Sequence, residues 1–349
     1  MNMMMTKPPF IPASESLLSS QRLEQLLNEV SQRCGIALKQ DIAAVSQHLP
    51  PLPDGWHPNG DDAAAIPIGC VSDSGAAAGY QLLAIEGMQG KLVNEQPWFA
   101  GWCSVMVNCS DIAAMGGRPT AVVDALWSDA SQPNHDQWLA ELLRGMRDAA
   151  THLGVPIVGG HSNTRSTQTN LAVSIMGHAN KLLSAFAAKP GQRLVAAIDH
   201  RGQFQNGSLN WNAATTAPAE RLRGDLELLP IIAEQGLADA CKDISQAGLL
   251  GTSIMLLESS GCGAVINLDS LAKPQQVAMA DWLCAFPSFG YLLTTDDQRL
   301  PALLATFAER GIHAAVIGDL DDSQQLTVSW QGEQRCFYNL REQSLTGFT

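Results

Sequence analysis

The segment Asn59–Ile66 reads NGDDAAAI and places two adjacent carboxylates, Asp61 and Asp62, between a turn glycine and an apolar strand. Neighbouring aspartates repel each other unless solvent or a cation lies between them. Taken alone, such a pair most often belongs to a solvated turn that an Asp side chain caps. The alternative is a cation site, and the other acidic residues of the chain decide between these two interpretations.

A third acidic residue follows at the end of the next predicted strand. Glu86 opens the sequence EGMQGK, in which Gly87 and Gly90 allow a ligand to approach the backbone closely. Lys91 ends this stretch and can meet a phosphate group. A common turn is the alternative for this segment when it is considered alone.

Two more aspartates lie in apolar surroundings. Asp111 belongs to NCSDIAAMGG, a predicted apolar helix in which an unpaired buried carboxylate is costly. Asp243, in KDISQAGLLG, stands where a predicted strand passes into a helix, and a helix N-cap is the alternative role there. Hard carboxylate oxygens without convergent Cys or His point to magnesium rather than zinc. Together these residues predict a magnesium site that serves phosphate chemistry.

The remaining sequence indicates two mixed α/β halves of similar size. Apolar periodicity predicts two helices between Ser20 and Pro50, and the Pro-Gly break in Ala187–Gln192 predicts the domain boundary. Gln203–Leu222 is long, polar and rich in turn residues, and loops of this length are often functional. The first half is predicted to contain strands Ala63–Ile68, Tyr80–Ile85, Thr120–Trp127, Pro156–Val158 and Leu171–Met176 and helices Trp98–Met115 and His135–Leu153. The second half is predicted to contain strands Leu194–Ile198, Asp239–Ile244, Ala264–Leu268, Tyr291–Thr294 and Ala314–Gly318, helices Ala219–Gln235, Leu249–Ser259 and Arg299–Arg310, and a hairpin near Leu326–Tyr338.

Length, charge and cysteine usage limit the class of protein. With 349 residues, of which 46% are apolar, the chain is long enough for two cores. Its net charge of -13 argues against nucleic-acid and anionic-membrane partners. Eight scattered cysteines without disulfide spacing, and no signal or membrane-spanning segment, indicate a cytoplasmic protein. Residues 1–19 are predicted to form a flexible tail.

Four motifs carry a resemblance to a known superfamily. NGDDAAAIP, NCSDIAAMGGRP, PIVGGHSN and KDISQAGLLG resemble, in order and rough spacing, segments of AIR synthase, selenophosphate synthetase, thiamine-monophosphate kinase and the hydrogenase maturation factor HypE. The resemblance is strongest to AIR synthase-related proteins of unsettled substrate. It implies an α/β (α+β) PurM-like fold, with residues 20–186 binding ATP and magnesium and forming a β-barrel with a second copy. Residues 187–349 would form the C-terminal α/β domain of each member of this homodimer.

The resemblance also implies roles for individual residues. The magnesium ligands, direct or through water, would be Asp61, Asp62, Glu86, Asp111 and Asp243. The nucleotide would lie against Gly60, Gly87, Gly90, Lys91, Asn108, Gly159, Gly160 and Arg165. Lys91 and His161 would be catalytic. A structural salt bridge is the alternative for Arg165, which is one residue out of step with the kinase motif.

Departures from the family patterns narrow the activity. Glu86 stands where Asp is usual, Gln246 replaces the second aspartate of a D-I-S-D motif, and His161 stands where the kinase has an aspartate. Thiamine-phosphate kinase activity is therefore not expected. Selenide chemistry is not expected either, since no Cys and Lys pair occurs in a glycine-rich N-terminal loop, and Cys34 is interpreted as a core or surface residue.

The leading hypothesis is an enzyme that uses ATP and magnesium to phosphorylate, and so activate, an oxygen of a small nitrogen-containing metabolite. Such chemistry needs mainly positioning and charge neutralisation. The enzyme would be a ligase, a cyclase or a small-molecule phosphotransferase. A nucleotide-binding regulatory or scaffold protein without turnover is the alternative, which Glu86 and Gln246 favour. A genuine AIR synthase is the third hypothesis, weakened by the altered EGMQGK and GGHS segments.

Overall fold

The structure is a computed structural model that describes residues 13–69 and 77–348, with side chains described from Arg22 onward. Residues 1–12 of the predicted flexible tail lie outside this part. Helix α1 begins at Ala13, so the end of that predicted tail is helical instead. None of the helices in the described ranges is both long and apolar enough to cross a membrane.

The first half contains a five-stranded sheet in the order β1-β2-β5-β3-β4, with only the β3–β4 pair parallel. Long helices pack on one of its faces. The helices that precede or belong to this half are α1 (Ala13–Arg33), α2 (Ile36–Ser46), α3 (Gly90–Glu95), α4 (Pro97–Ala114) and α5 (His135–Leu153). The strands are β1 (Ala64–Ile68), β2 (Gly79–Gly87), β3 (Arg118–Asp129), β4 (Ile157–Asn163) and β5 (Arg165–Ala179).

The second half contains a seven-stranded sheet in the order β15-β14-β10-β13-β6-β12-β9 and a small sheet in the order β11-β8-β7. Its strands are β6 (Arg193–Ile198), β7 (Gln203–Phe204), β8 (Asn210–Asn212), β9 (Ala240–Asp243), β10 (Gly263–Asn267), β11 (Phe286–Pro287), β12 (Gly290–Thr295), β13 (His313–Asp321), β14 (Gln325–Trp330) and β15 (Glu333–Asn339). Its helices are α6 (Ala219–Leu226), α7 (Leu228–Gln235), α8 (Gly248–Ser260), α9 (Met279–Leu283) and α10 (Leu300–Ala308). The predicted mixed α/β fold with two domains is therefore confirmed.

Three predicted elements differ from the structure. The helix expected over Ala219–Gln235 is divided into α6 and α7 at Glu227, and Pro230 lies in the first turn of α7, where its missing N–H leaves no helical bond unmade. The strand expected to end at Val158 continues through β4 to Asn163, so the GGHS residues lie in a strand rather than a loop. The polar loop at Gln203–Leu222 contains β7 and β8, which join β11.

The two helices at the start of the chain pack with the second half. Leu23, Val30 and Ile36 belong to the same buried cluster as Leu194 and Leu250 of the C-terminal half. The backbone N–H of Gly35 donates to the Gln246 carbonyl oxygen at 3.0 Å, which joins the α1–α2 turn to the residues after β9. By packing, these helices therefore extend the C-terminal core, while the limits 20–186 and 187–349 remain a prediction.

Helices α4 and α5 approach each other through glycines. A Cβ built on Gly145 would lie 1.9 Å from the Trp98 carbonyl oxygen, and one built on Gly101 would lie 2.1 Å from the Leu142 carbonyl oxygen. Any side chain at either position would therefore push the helices apart. This contact sets the depth at which α4, which carries Asp111, lies in the fold.

We expect Gly145→Ala to lower the free energy of unfolding. Alanine favours a free helix by about 0.5–1 kcal/mol over glycine, but overpacking at this contact costs about 1–3 kcal/mol. Urea unfolding followed by circular dichroism measures the difference. Ala140→Gly, at an exposed position of the same helix, reports the propensity effect alone. A gain in stability for Gly145→Ala would contradict the close contact.

Candidate functional site

Asp61 is fully enclosed by hydrogen-bond partners. Its side chain is 0% exposed, and it accepts hydrogen bonds from the Ser184 hydroxyl at 2.7 Å and the Ala185 backbone N–H at 3.1 Å. His57 Nε2 lies 3.1 Å from its Oδ2 atom. This arrangement excludes the solvated turn considered for the Asp pair. Through these hydrogen bonds, Asp61 holds the loop that precedes β1 against residues 184–185.

Asp62 pairs with a buried lysine from the other half of the chain. Lys242 donates to Oδ1 of Asp62, and the two side chains are 6% and 5% exposed. The backbone N–H of Asp243 donates to Oδ2 at 3.1 Å. Burial raises the pKa of Asp62 and opposes the charge, whereas Lys242 acts in the other direction. We take the ion pair as charged, because the same contact raises the pKa of Lys242 despite its burial.

Asp111 and Asp243 are buried carboxylates without such partners. They are 5% and 7% exposed, and neither side chain makes a hydrogen bond or ion pair with another residue in ranges 13–69 and 77–348. Burial, followed by the charge of Asp243, holds the pKa of Asp111 well above its usual range. Burial, followed by Asp62, raises the pKa of Asp243 to about 7. Asp111 therefore has no core salt bridge within these ranges, and Asp243 ends β9 without capping α8, whose N-cap is Ala247.

Glu86 completes the acidic cluster, which we define as Asp61, Asp62, Glu86, Asp111 and Asp243. Glu86 lies near the end of β2, and burial, partly offset by Lys39 of α2, raises its pKa. Electrostatic coupling links Glu86 to both Asp111 and Asp243. Among the described residues, Lys39 and Lys242 are the lysines that act on this cluster, so its five carboxyl groups outnumber its cations.

The cluster suits a hydrated magnesium ion better than a caged one. Within the described ranges, no three acidic, His or Cys side chains converge closely enough to hold one metal ion. Magnesium in phosphate-transfer sites commonly takes one or two carboxylates and completes its shell with water and phosphate oxygens. Asp111 and Asp243 offer such a pair, since their side-chain oxygens have no other partner in the part of the chain that the structure describes.

The EGMQGK segment is not a continuous loop. Glu86 and Gly87 end β2, while Gly90 and Lys91 form the first turn of α3. Gly87, Gly90 and Lys91 are exposed, and a Cβ at either glycine would meet nothing within 4 Å. A side chain or a ligand atom would therefore have room at both positions. Packing does not explain why glycine occurs at Gly87 and Gly90.

The GGHS residues lie on the far side of the first sheet from this segment. Gly87 pairs with Ala172 of β5, Ala172 with Ala125 of β3, and Ala125 with His161 of β4. Three strand spacings separate Gly87 from His161, about 14 Å. Gly159, Gly160 and His161 are all exposed, so one chain does not bring His161 to the acidic cluster. A Cβ at Gly160 would lie 2.3 Å from Asp124 Oδ1, which explains that glycine by packing.

The remaining predicted nucleotide residues differ in their surroundings. Asn108 is fully buried and donates to the Ser104 carbonyl oxygen at 2.8 Å, while its own Oδ1 lacks a partner among the described residues. Arg165 is exposed at the start of β5, opposite Asp129. Gly60 has a φ of 113° and packs against Phe348, so its role here is conformational.

Sequence reasoning missed both lysines of the site. Lys242 stands in a four-residue strand that is otherwise buried, and a lysine in such a position requires a carboxylate partner. That signal was present beside Asp243. Lys39 gave no comparable signal, because lysines on exposed helices are common.

Cys34 is a core residue, one of the two places considered for it. Its sulfur atom lies 2.8 Å from the sulfur atom of Cys284.

Comparison with known proteins agrees with the fold. The protein sll0787 of Synechocystis sp. is 43% identical over 333 residues, covering 94% of this chain and 99% of the relative. A structure of Thermotoga maritima PurL complexed with ATP superposes with a TM-score of 0.67 at 18% identity, over 92% of this chain and 52% of PurL. AaThiL complexed with AMPPCP and TMP gives 0.59 at 16% identity, over 78% of this chain and 88% of ThiL.

Two family models cover most of the chain. The model described as AIR synthase related protein, N-terminal domain, matches residues 60–179, and the model of the corresponding C-terminal domain matches residues 190–331. These ranges contain the five-stranded sheet, all of the seven-stranded sheet except β15, and the whole acidic cluster. The chain therefore belongs to the AIR synthase-related protein family.

Proposed function

We propose that the protein is an ATP- and magnesium-dependent enzyme that transfers the γ-phosphoryl group to an oxygen of a small metabolite. The observation that carries this proposal is the buried pair Asp111 and Asp243, which come from different halves of the chain and lack partners in the described ranges. Unpaired buried carboxylates are costly unless a cation joins them. An ATP-bound divalent ion supplies that cation.

The nucleotide part of the proposal has support from structural relatives. PurL and ThiL were crystallised with ATP and AMPPCP, and both share this fold. Family membership and the acidic cluster bring nucleotide binding to this chain as an expectation. The reaction and the acceptor are our own inference.

We assign a role to each residue of the site from the contacts that it makes. Magnesium, held by Asp111 and Asp243 with Glu86 nearby, would neutralise phosphate charge. Lys242 orients Asp62, and Asp61 anchors the loop, so these two aspartates hold the site rather than bind the metal directly. In the transfer, the bond from the γ-phosphorus to ADP breaks and a bond to the acceptor oxygen forms. A proton on the acceptor leaves to water or to a neighbouring carboxylate.

For Lys91, His161 and Arg165, the catalytic or nucleotide-binding roles remain predictions. Lys91 is exposed in the first turn of α3, five residues after Glu86 in the chain, whereas His161 and Arg165 are on exposed parts of the first sheet. A second copy of the chain would have to bring the latter two toward the nucleotide. The free thiols of all the described cysteines fit the proposed cytoplasmic location.

A homodimer would cover the outer face of the first sheet. Six apolar side chains on this face or its edge are between 42% and 68% exposed: Ile68, Leu83, Ile85, Val123, Val158 and Met176. Apolar patches of this kind usually mark an interface. We propose that two copies pair through this face, as the family resemblance implies.

Mg-ATP should stabilise the protein against heat much more than ATP with excess chelator does. Saturation at about 100 times the dissociation constant adds roughly 2.7 kcal/mol to the free energy of unfolding. Differential scanning fluorimetry measures the shift. An unchanged melting temperature in millimolar Mg-ATP would rule out nucleotide binding, while a shift without ADP release on any metabolite would favour the regulatory alternative.

Asp111→Asn should sharply weaken metal-dependent ATP binding, because it removes a full negative charge from the site. The protein without ligands should lose little stability, since repulsion from Asp243 is relieved. Calorimetric titration with Mg-ATP and thermal melting measure the two effects. Asp124→Asn changes a partly buried carboxylate on β3 outside the cluster and is the matched control. Unaltered nucleotide affinity in Asp111→Asn would exclude this residue as a ligand.

Ile85→Lys should convert a dimer into monomers, because two buried lysines would face each other or lose hydration in the proposed interface. Light scattering at micromolar concentration measures the mass. Val45→Lys, at a position of similar exposure on α2, should leave the mass unchanged. A monomeric mass for the unmodified protein would contradict the proposed pairing.

A further inference from the structure

A largely apolar groove runs between the two halves beside the acidic cluster. One wall is a face of α4 that includes Phe99, Trp102, Met106 and Val107. The opposite wall comes from β8 and from the segment that connects β11 to β12, within the chain's second half. The groove is partly open to solvent, and most of its lining side chains are apolar or aromatic, which is typical of small-molecule sites.

The groove ends at the acidic cluster. Asp243 belongs both to its lining and to the cluster, and Ser110 lines it one residue before Asp111. A molecule lying along the groove would thus place one end next to the pair of carboxylates that we expect to face the nucleotide phosphates. This geometry distinguishes the groove from an unrelated surface cleft.

The charge of the lining limits what can bind. Asp243 is the only ionisable acid among the described lining residues, and none of them is Lys, Arg or His. A phosphate or carboxylate on the ligand would therefore meet no fixed positive charge and would lie near a cluster of acids. Anions bound by proteins normally require such cations or several oriented N–H groups.

The polar groups of the lining define a second requirement. The indole N–H of Trp102 is buried and has no acceptor among the described residues. The side-chain amide of Asn210 also makes no hydrogen bond within those residues, whereas that of Asn212 is occupied by Gln205 and Thr215. The free Asn210 amide beside aromatic walls suits a ligand that has an apolar body and a neutral oxygen acceptor.

We infer that this groove is the acceptor-substrate pocket, and that its occupant is an uncharged, non-phosphorylated molecule with a flat apolar body and a carbonyl or carboxamide group. This inference rests on the proposed function for the role of the bound molecule. It goes further by assigning the groove and by excluding phosphorylated acceptors. The polypeptide segment singled out at Gln203–Leu222 then has a role, since its strand β8 supplies Asn210 and one wall.

Ligand-observed NMR with matched probes tests the inference. Benzamide supplies a flat ring with a neutral carboxamide, phenyl phosphate supplies a similar ring with a dianion, and toluene lacks any polar group. At millimolar concentration, where fragments of this size bind, we expect benzamide to bind the full-length protein and phenyl phosphate not to bind. Removal of the Asn210 amide in Asn210→Ala should weaken benzamide by about 2- to 10-fold, the value of one neutral hydrogen bond, and leave toluene unchanged.

A charge placed in the groove should reverse the selectivity. Val107→Arg, at a half-buried position of the wall, should abolish benzamide binding and allow phenyl phosphate to bind. Leu143→Arg adds the same charge at an exposed position of α5 outside the lining and should change neither probe. Preference of the unmodified protein for phenyl phosphate, binding of neither aromatic probe, or equal effects of the two arginine variants would each overturn the inference.

Two measurements on the same samples distinguish the groove inference from the nucleotide-binding proposal. A thermal shift with Mg-ATP is measured in the absence of probes, where the groove inference predicts nothing. If Mg-ATP fails to bind while benzamide binds and responds to Val107→Arg, the groove assignment stands and the nucleotide proposal fails. If Mg-ATP binds and benzamide does not, the groove inference fails alone.

Discussion

The arrangement of this protein depends on the burial of negative charge between its two halves. Five carboxylates interact electrostatically, and among the described residues Asp61 and Asp62 are the members of this cluster that accept hydrogen bonds from nearby donors. The ion pair of Asp62 with Lys242 ties the loop before β1 to strand β9, which belongs to the other half. Asp111 and Asp243 remain without partners in the described ranges. A cation bound beside them would therefore offset the free-energy cost of burying their charges.

The scaffold holds that charge in place through close backbone packing. Helix α4 carries Asp111 and Asn108 on one side and the aromatic wall of the groove on another. Its depth is set by the contact at Gly101 and Gly145, where carbonyl oxygens occupy the space of absent side chains. A single helix therefore determines the position of the acidic cluster relative to the groove. Rigid placement of this kind is what phosphoryl transfer requires of a protein.

In our proposal the groove and the acidic cluster bind two different ligands. The cluster is suited to a charged ligand with its own metal ion, whereas the groove has an apolar lining with few polar groups. Their meeting point at Asp243 places the acceptor next to the phosphates in our proposal. Related folds at 16% and 18% identity show how far the architecture persists while individual residues change.

The amino-acid sequence by itself determined the elements of the two large sheets and the cost of leaving Asp111 unpaired, because local periodicity and residue polarity express both. Apolar spacing alone predicted the bounds of helix α5 and the approximate bounds of helix α4. Only the tertiary structure decided that Asp61 is enclosed by His57 and Ser184, that Lys242 neutralises Asp62, and that His161 lies three strands from Gly87. Ser184 and Lys242 are distant in sequence from the aspartates that they contact, and strand order and helix packing, which no local pattern encodes, bring them together.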